Sequence, residues 1–475
     1  MSYLESVKQI LISDESTLKI IDGDRTFNST SIKEAIDKYM AYLESKQISK
    51  DVQVAILPSR KAEWVFFMYA LMFRGITPLV IDRTMNKSGL NVMLHDVDVV
   101  YADKEQQLES VNIVRIPELD SIDNDTMDKT QLEIIHPDNK TLFTAHTSGT
   151  TGIPKKVNYT NDNIAWAVSE YERIYKLKDN DTILFSLPFH YCYSVIPCCV
   201  APMSLGKTIV ICPEEDSAEA IANLIEKHEV NILVVNPVFY KSLSSLNLSR
   251  YDFSSLRICD SGGESIPIPV VRKMKEKTDV LITEGYGLTE TTSLTHFLLP
   301  DSNAELRLGS VGQACRQVEC RIVDEDYMDV EDGAIGELLI KGPMVASYDD
   351  HEQNESANVN GWFKTGDLFY EDKDHFFYLV SRKKDAMDLP TDLVNTASVN
   401  IPLLLSNEQI KDMSYKFLSA SELQLFVVGE DNIDKSLLED NILHSLPEAL
   451  SSIVTVKFVS LLPRTATGKV LKKDL

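Results

Sequence analysis

Short runs of β-branched and other apolar residues alternate with amphipathic stretches through residues 1–303, and this alternation limits the possible folds most sharply. Val52–Leu57, Pro78–Ile81, Val97–Tyr101, Thr182–Ser186, Thr208–Ile211, Val230–Val235, Leu256–Cys259 and Val280–Thr283 read as buried strands. Between them, Ile32, Ala35, Ile36, Tyr39, Met40 and Leu43 share one helical face, and Glu63–Arg74 and Ala218–His228 also read as helices. Strands apolar on both faces need cover on both sides. The spacing therefore predicts doubly wound α/β layers.

The texture changes near Ala304. Gly309, Gly312, Gly333, Gly336 and Gly342 separate short runs such as Val318–Val323 and Glu337–Lys341, which predicts a small β-barrel-like subdomain over about 304–383. Helix-like and strand-like pieces resume after Asp385, among them Glu408–Leu418, Leu423–Val428, Asp434–Leu446 and Val454–Val459. The expected α/β fold has a large N-terminal lobe (1–383), with two doubly wound subdomains over about 1–303. A small α+β lobe follows over 384–475.

Composition removes several function classes. The chain of 475 residues is 44% hydrophobic and 25% charged, as globular proteins are. Apolar runs such as Val195–Met203 fall far short of the ~20 residues a bilayer span requires. The N-terminus, with Glu5 and Lys8, lacks a signal-peptide pattern, so a cytoplasmic enzyme without a stable membrane span is expected. A net charge of −25 is unsuited to gripping nucleic acid. Seven cysteines without a CxxC pair predict buried, reduced thiols, and nine histidines without HExxH spacing speak against zinc.

Thr147-Ser148-Gly149-Thr150-Thr151-Gly152-Ile153-Pro154-Lys155 carries the most chemistry. It leaves the end of the apolar run Leu142–Ala145. Its two glycines expose backbone N–H groups, its four hydroxyls add donors, and Lys155 adds a cation. Such a run can cradle phosphate, although it lacks the Gly-Lys-Ser/Thr of a Walker loop.

This loop resembles the TSGTTGxPK signature of the adenylate-forming (AMP-binding) superfamily, which includes acyl-CoA synthetases, carrier-protein adenylation domains and luciferases. Four more segments resemble its signatures in order: Gly285-Tyr286-Gly287-Leu288-Thr289-Glu290, Gly361–Asp367, Arg382, and Arg464-Thr465-Ala466-Thr467-Gly468-Lys469. The resemblance implies ATP and Mg²⁺ as cofactors and attack of a carboxylate on the α-phosphate. It places the β- and γ-phosphates on the Thr147–Lys155 loop, Mg²⁺ on Glu290 and Thr147, and the α-phosphate at Thr289. Tyr286 and Gly287 then belong to the adenine site with Gly263 and Glu264, while Asp367 and Arg382 hold the ribose. Lys469 neutralises charge where the carboxylate meets the α-phosphate, and Lys384-Asp385 forms the hinge.

His190, Cys192 and Tyr193 fall in the segment implied to line the acyl pocket. Cys192 occupies the position where amino-acid-activating relatives place an Asp against the α-ammonium. An unpaired buried ammonium is costly, so the expected substrate is a fatty or aryl carboxylic acid. CoA or the phosphopantetheine of an acyl or aryl carrier protein is the implied acceptor. Ala386–Val394 contains no glycine where the family has a Gly-rich segment, which predicts weak ligation to free CoA and better transfer to a carrier protein. An enzyme that stops at the adenylate, or a non-catalytic nucleotide- or acyl-binding regulator, are the alternative readings.

Overall fold

The computed structural model describes residues 2–475 except 105–112, 123–131, 136–139, 148–153, 215–216, 302–303, 387–388 and 466–467. Two large sheets organise the first 348 residues. The first has nine strands, in the order Gln313–Ala314, His296–Phe297, Ile282–Tyr286, Ile258–Ser261, Ile232–Val235, Thr182–Phe185, Thr208–Ile211, Lys19–Asp22 and Arg25–Asn28. Its centre is parallel. The second has seven: Ser347–Tyr348, Lys156–Thr160, Thr141–His146, Pro78–Val80, Val54–Leu57, Val99–Ala102 and Ile113–Arg115.

The α/β fold class is as expected, but the chain weaves between its sheets. Lys19–Asp22 joins the first sheet beside Thr208–Ile211, and Ser347–Tyr348 returns to edge the second against Lys156–Thr160. Helix Ser29–Ser45 buries all six apolar residues read as its inner face. Helix Ala62–Phe73 is buried almost all round, as a helix enclosed by other elements must be.

A five-stranded antiparallel sheet follows, built around Glu319–Val323, Gly336–Lys341, Trp362–Glu371 and Phe377–Arg382. Ile410–Ser419, Glu422–Gly429 and Val454–Phe458 form a three-stranded sheet whose apolar cluster is separate from the rest. Helices Thr391–Leu403 and Lys435–Ser445 cover it.

Two strands run further than their hydropathy indicates. Ile258–Ser261 continues through Asp260, and Ile282–Tyr286 continues through Glu284. Their ends are polar because they open onto a cleft. Six of the seven cysteines are buried, Cys320 is partly so, and all are free.

Candidate active site

The strand order of the nine-stranded sheet sets the location. After Thr182–Phe185 the chain steps to Thr208–Ile211 on one side, then to Ile232–Val235 on the other. Loops leaving such a switch point diverge and open a crevice at the carboxyl ends of the strands. The resulting cleft, about 1840 Å³, extends between this sheet and the C-terminal elements.

Thr147 and Lys155 close the neck of the hairpin between Thr141–His146 and Lys156–Thr160. The Thr147 N–H donates to the Lys155 carbonyl at 3.0 Å, and the Lys155 N–H donates to Thr147 Oγ1 at 3.1 Å. Ser148, Gly149, Thr150, Thr151 and Gly152 lie outside the described residues. Lys155 Nζ sits 4.7 Å from the ring centre of Tyr348. The Tyr348 hydroxyl in turn donates to Glu290 Oε1 at 2.6 Å. Tyr348 thus bridges the cation of the loop and the carboxylate of the Thr289–Thr291 turn.

Tyr286, Asp367 and Arg382 form a second group. Asp367 and Arg382 face each other across two antiparallel strands. Asp367 is 2% exposed. Its Oδ2 accepts from the Tyr286 hydroxyl at 2.7 Å, and Arg382 Nε lies 2.8 Å from its Oδ1. The guanidinium is out of line, so Oδ1 remains buried without a hydrogen bond. Burial pushes this carboxyl up against the pull of Arg382 and Tyr286. The Tyr286 ring packs edge-on to Phe369 at 4.9 Å.

Lys469 enters the same cleft from the C-terminus. Its turn is closed by the Thr465 N–H to the Lys469 carbonyl at 2.8 Å and the Lys469 N–H to Thr465 Oγ1 at 3.1 Å. Gly468 adopts φ +89°, and a Cβ there would lie 2.6 Å from Asn236 Nδ2 at the end of strand Ile232–Val235. Only glycine allows this approach. Burial first and Arg382 second lower the pKa of the Lys469 ammonium, which makes no ion pair among the described residues. Gly263, at φ +91°, leaves room for the Tyr191 hydroxyl beside the Lys469 chain. Glu264 accepts the Val470 N–H at 2.8 Å and lies 3.6 Å from Arg464, so it is engaged by the C-terminal turn.

On the acyl side, Cys192 and Tyr193 line the cleft, and the Cys192 thiol donates to Thr289 Oγ1 at 3.8 Å. Burial raises the pKa of that thiol. His190 lies outside the cleft lining. It stacks on His146 at 5.6 Å with Nε2 3.7 Å from Asp82, and burial lowers its pKa to about 4, so the ring is neutral. Gly287 and Lys384 also line the cleft, Lys384 in the turn Lys383–Asp385.

Motif reading does not reach Tyr348, Asn236 or the ion pair of Lys241 with Asp412, 2.7 Å apart. Each contributes through topology, and none has a local pattern that marks it. Thr292 and Ser293, at φ +52° and +67°, hold a strained backbone directly after the Thr289–Thr291 turn, a signal that only coordinates carry.

Thr147 and Lys155 at the hairpin neck, the buried Asp367 carboxylate and Lys469 thus line one cleft of an α/β fold. The profile of the AMP-binding enzyme family matches residues 13–348, and the chain belongs to that family. It is 28% identical over 351 residues to 4-coumarate–CoA ligase-like 8 of Arabidopsis thaliana, covering 72% of this chain and 63% of that protein. It is 28% identical over 341 residues to the indoleacetate–CoA ligase of Aromatoleum aromaticum, covering 70% and 66%. The alignments thus span just under two thirds of either relative's length. The fold matches the anthranilate CoA ligase AuaEII in complex with anthranoyl-AMP, with a TM-score of 0.87 at 21% identity, covering 100% of this chain and 96% of that one.

Proposed function

We propose that the protein uses ATP to activate a carboxylic acid without an α-amino group. The acyl-adenylate forms with release of pyrophosphate, and the acyl group then passes to the thiol of CoA or of a carrier-protein phosphopantetheine. One observation carries the reading: Lys469, Thr289, Asp367 and Arg382, from separate segments, all line one cleft. The names of the two ligase relatives support the same class of reaction.

The residues fit a nucleotide and a hard cation. Asp367 Oδ1 is a buried acceptor without a hydrogen bond, suited to a ribose hydroxyl. Lys469 brings a cation that makes no ion pair among the described residues, suited to phosphate oxygens. Glu290 gives one oxygen to Tyr348 and keeps the other for a metal, with Thr147 as the second ligand. Among the described residues no three acidic, His or Cys side chains cluster to hold a metal alone. Magnesium, which favours one or two carboxylates plus phosphate and water, needs no such cluster. When bound, it would neutralise phosphate charge and orient the leaving pyrophosphate.

The chain contributes positioning and electrostatics, which dominate phosphoryl chemistry. Arg382 and Tyr286 hold Asp367 for the ribose, and Thr289 sits where the α-phosphate is expected. Lys469 stabilises charge that develops as the carboxylate attacks. Cys192 offers no counter-ion, so an α-ammonium would be stranded.

In this reading the C-terminal unit from 384 onward turns about Lys384 between the two half-reactions. The enzyme is cytoplasmic, and no helix of the described residues is long and apolar enough to cross a membrane. Carboxylate-dependent ATP–pyrophosphate exchange over a panel of acids tests the first step, and the same panel with CoA or a loaded carrier protein tests the second. Absence of exchange with every acid sinks the proposal.

A further inference from the structure

Residues 343–349 belong to none of the signature segments, yet they fasten two parts of the cleft wall together. On one side, the Ala346 N–H donates to the Glu290 carbonyl at 2.8 Å, and Thr292 Oγ1 donates to the Met344 carbonyl at 2.7 Å. On the other, Ser347 and Tyr348 pair with Asn158 and Val157, and the Asp349 N–H donates to the Lys156 carbonyl at 3.1 Å. Asn354 accepts the Tyr348 N–H at 2.8 Å and donates to its carbonyl at 2.8 Å. The backbone of Tyr348 is thus pinned between the Thr289–Thr291 turn and strand Lys156–Thr160, which follows Lys155.

Its side chain meets a charged group from each part. Tyr348, 7% exposed, lines the cleft with Lys155 and Glu290. A carboxylate only accepts, so the phenol is the donor in the 2.6 Å bond to Glu290 Oε1. A bond that fixes one carboxylate oxygen also fixes where the other can lie. The face of the same ring takes Lys155 Nζ, 4.7 Å from its centre. Lys155 and Glu290 make no ion pair with each other among the described residues, so the tyrosine engages two opposite charges that do not neutralise one another. Both then stay available to a bound nucleotide and its metal.

We infer that Tyr348 is a positioning residue whose hydroxyl sets the Glu290 carboxylate for a divalent cation and whose ring holds the Lys155 ammonium for the phosphates of the same nucleotide. The two roles fall on different parts of one side chain, so substitution can separate them. Partners that orient a metal-binding carboxylate tune metal affinity without binding the metal themselves. This inference rests on the adenylation reading, in which Glu290 and Thr147 take the metal, and adds the residue that acts through Glu290 and Lys155.

The test uses the full chain with α,β-methylene-ATP, which cannot release pyrophosphate, and Mn²⁺ as the metal probe. Free Mn²⁺ is read by electron paramagnetic resonance, and binding of the analogue without metal is read by calorimetry in EDTA. Tyr348→Phe keeps the ring and every backbone bond. It should weaken Mn²⁺ binding to the analogue complex by ~10-fold or more and leave metal-free analogue binding unchanged. Tyr348→Leu should lose the same metal affinity and also weaken metal-free analogue binding by ~3-fold, the scale of one cation–π contact. Should Tyr348→Leu not fold, 3,5-difluorophenylalanine at this position keeps the ring's shape while draining its face. It should weaken metal-free analogue binding relative to Tyr348→Phe, and no loss would overturn the assignment to Lys155. On a Glu290→Ala background, Tyr348→Phe should add no further loss of Mn²⁺ affinity, because the hydroxyl acts through that carboxylate. Unchanged or tighter Mn²⁺ binding in Tyr348→Phe would overturn the inference. So would an equal loss of metal-free analogue binding, or an additive loss on the Glu290→Ala background, since either makes the tyrosine a packing residue. Pyrophosphate exchange by the unaltered protein is run in parallel over the panel of acids. If no acid supports exchange, the adenylation reading fails and the Mn²⁺ measurement still decides the role of Tyr348. If exchange proceeds and the unaltered complex binds no Mn²⁺, the inference falls alone.

Discussion

Lys241 Nζ lies 2.7 Å from Asp412 Oδ1, joining helix Pro237–Ser245 of the large sheet region to strand Ile410–Ser419 of the C-terminal sheet. The other oxygen of Asp412 accepts from Arg464 at 2.8 Å, and Arg464 also donates to the Gly468 carbonyl at 2.6 Å. One carboxylate thus ties the C-terminal unit to the body of the protein and braces the turn that presents Lys469. Burial pushes the Asp412 carboxyl up, but Lys241 and Arg464 outweigh it and hold the pKa below the usual range.

Asp412→Asn should weaken this brace. Adenylation should fall by roughly 5–10-fold, the cost of about 1 kcal/mol in a partly buried charge pair. Transfer from a pre-made acyl-adenylate should hold or rise, because it does not need Lys469 in place. The two half-reactions, assayed separately, check this; equal losses in both would remove Asp412 from the docking role.

Lys469→Ala should lower adenylation by ~10²-fold or more, the scale of losing one strong transition-state donor. Circular dichroism should show the fold intact, since the Lys469 ammonium makes no ion pair among the described residues. Full exchange activity in this variant would mean that charge neutralisation comes from elsewhere.

Cys192 tests the counter-ion argument. Free α-amino acids should support little pyrophosphate exchange above background. Cys192→Asp should lower activity on the native acid, because the new carboxylate would sit in a buried site beside Thr289. Robust exchange with any amino acid in the unaltered protein would overturn the assignment.

Glu284 gives a pH signature. Burial pushes its pKa up to about 8, and Asp260 adds to the push against hydrogen bonds from Ile266 and Ser265. An unfolded Glu titrates near ~4.3. Between those values the folded protein holds a proton that the unfolded chain releases, so this group's contribution to stability falls as pH rises through the window and levels off above it. Glu284→Gln removes the titration. Its Tm relative to the unaltered protein should therefore climb between pH 5 and pH 8, read by thermal denaturation at matched ionic strength, and a constant difference would contradict the assigned shift.

Local chemistry made much of this protein legible in its sequence. Buried strands such as Thr208–Ile211 and helix Ala218–His228 were readable to the residue, because burial imposes a pattern over a few neighbours. The adenylating signatures were readable for the same reason: phosphate loops and tight turns need particular residues at fixed short offsets. Hydropathy failed where Ile258–Ser261 and Ile282–Tyr286 turn polar, at the strand ends where the cleft begins. The resemblance implies a pocket role for His190, and only the structure shows that its ring stacks on His146 with Asp82 nearby. Tertiary structure alone decided that Lys19–Asp22 pairs with Thr208–Ile211, and that Tyr348 joins Lys155 to Glu290. It alone joined Lys241 to Asp412, 171 residues away along the chain. A contact across such a separation is fixed by how whole layers pack, and side-chain type at either end carries no mark of its partner.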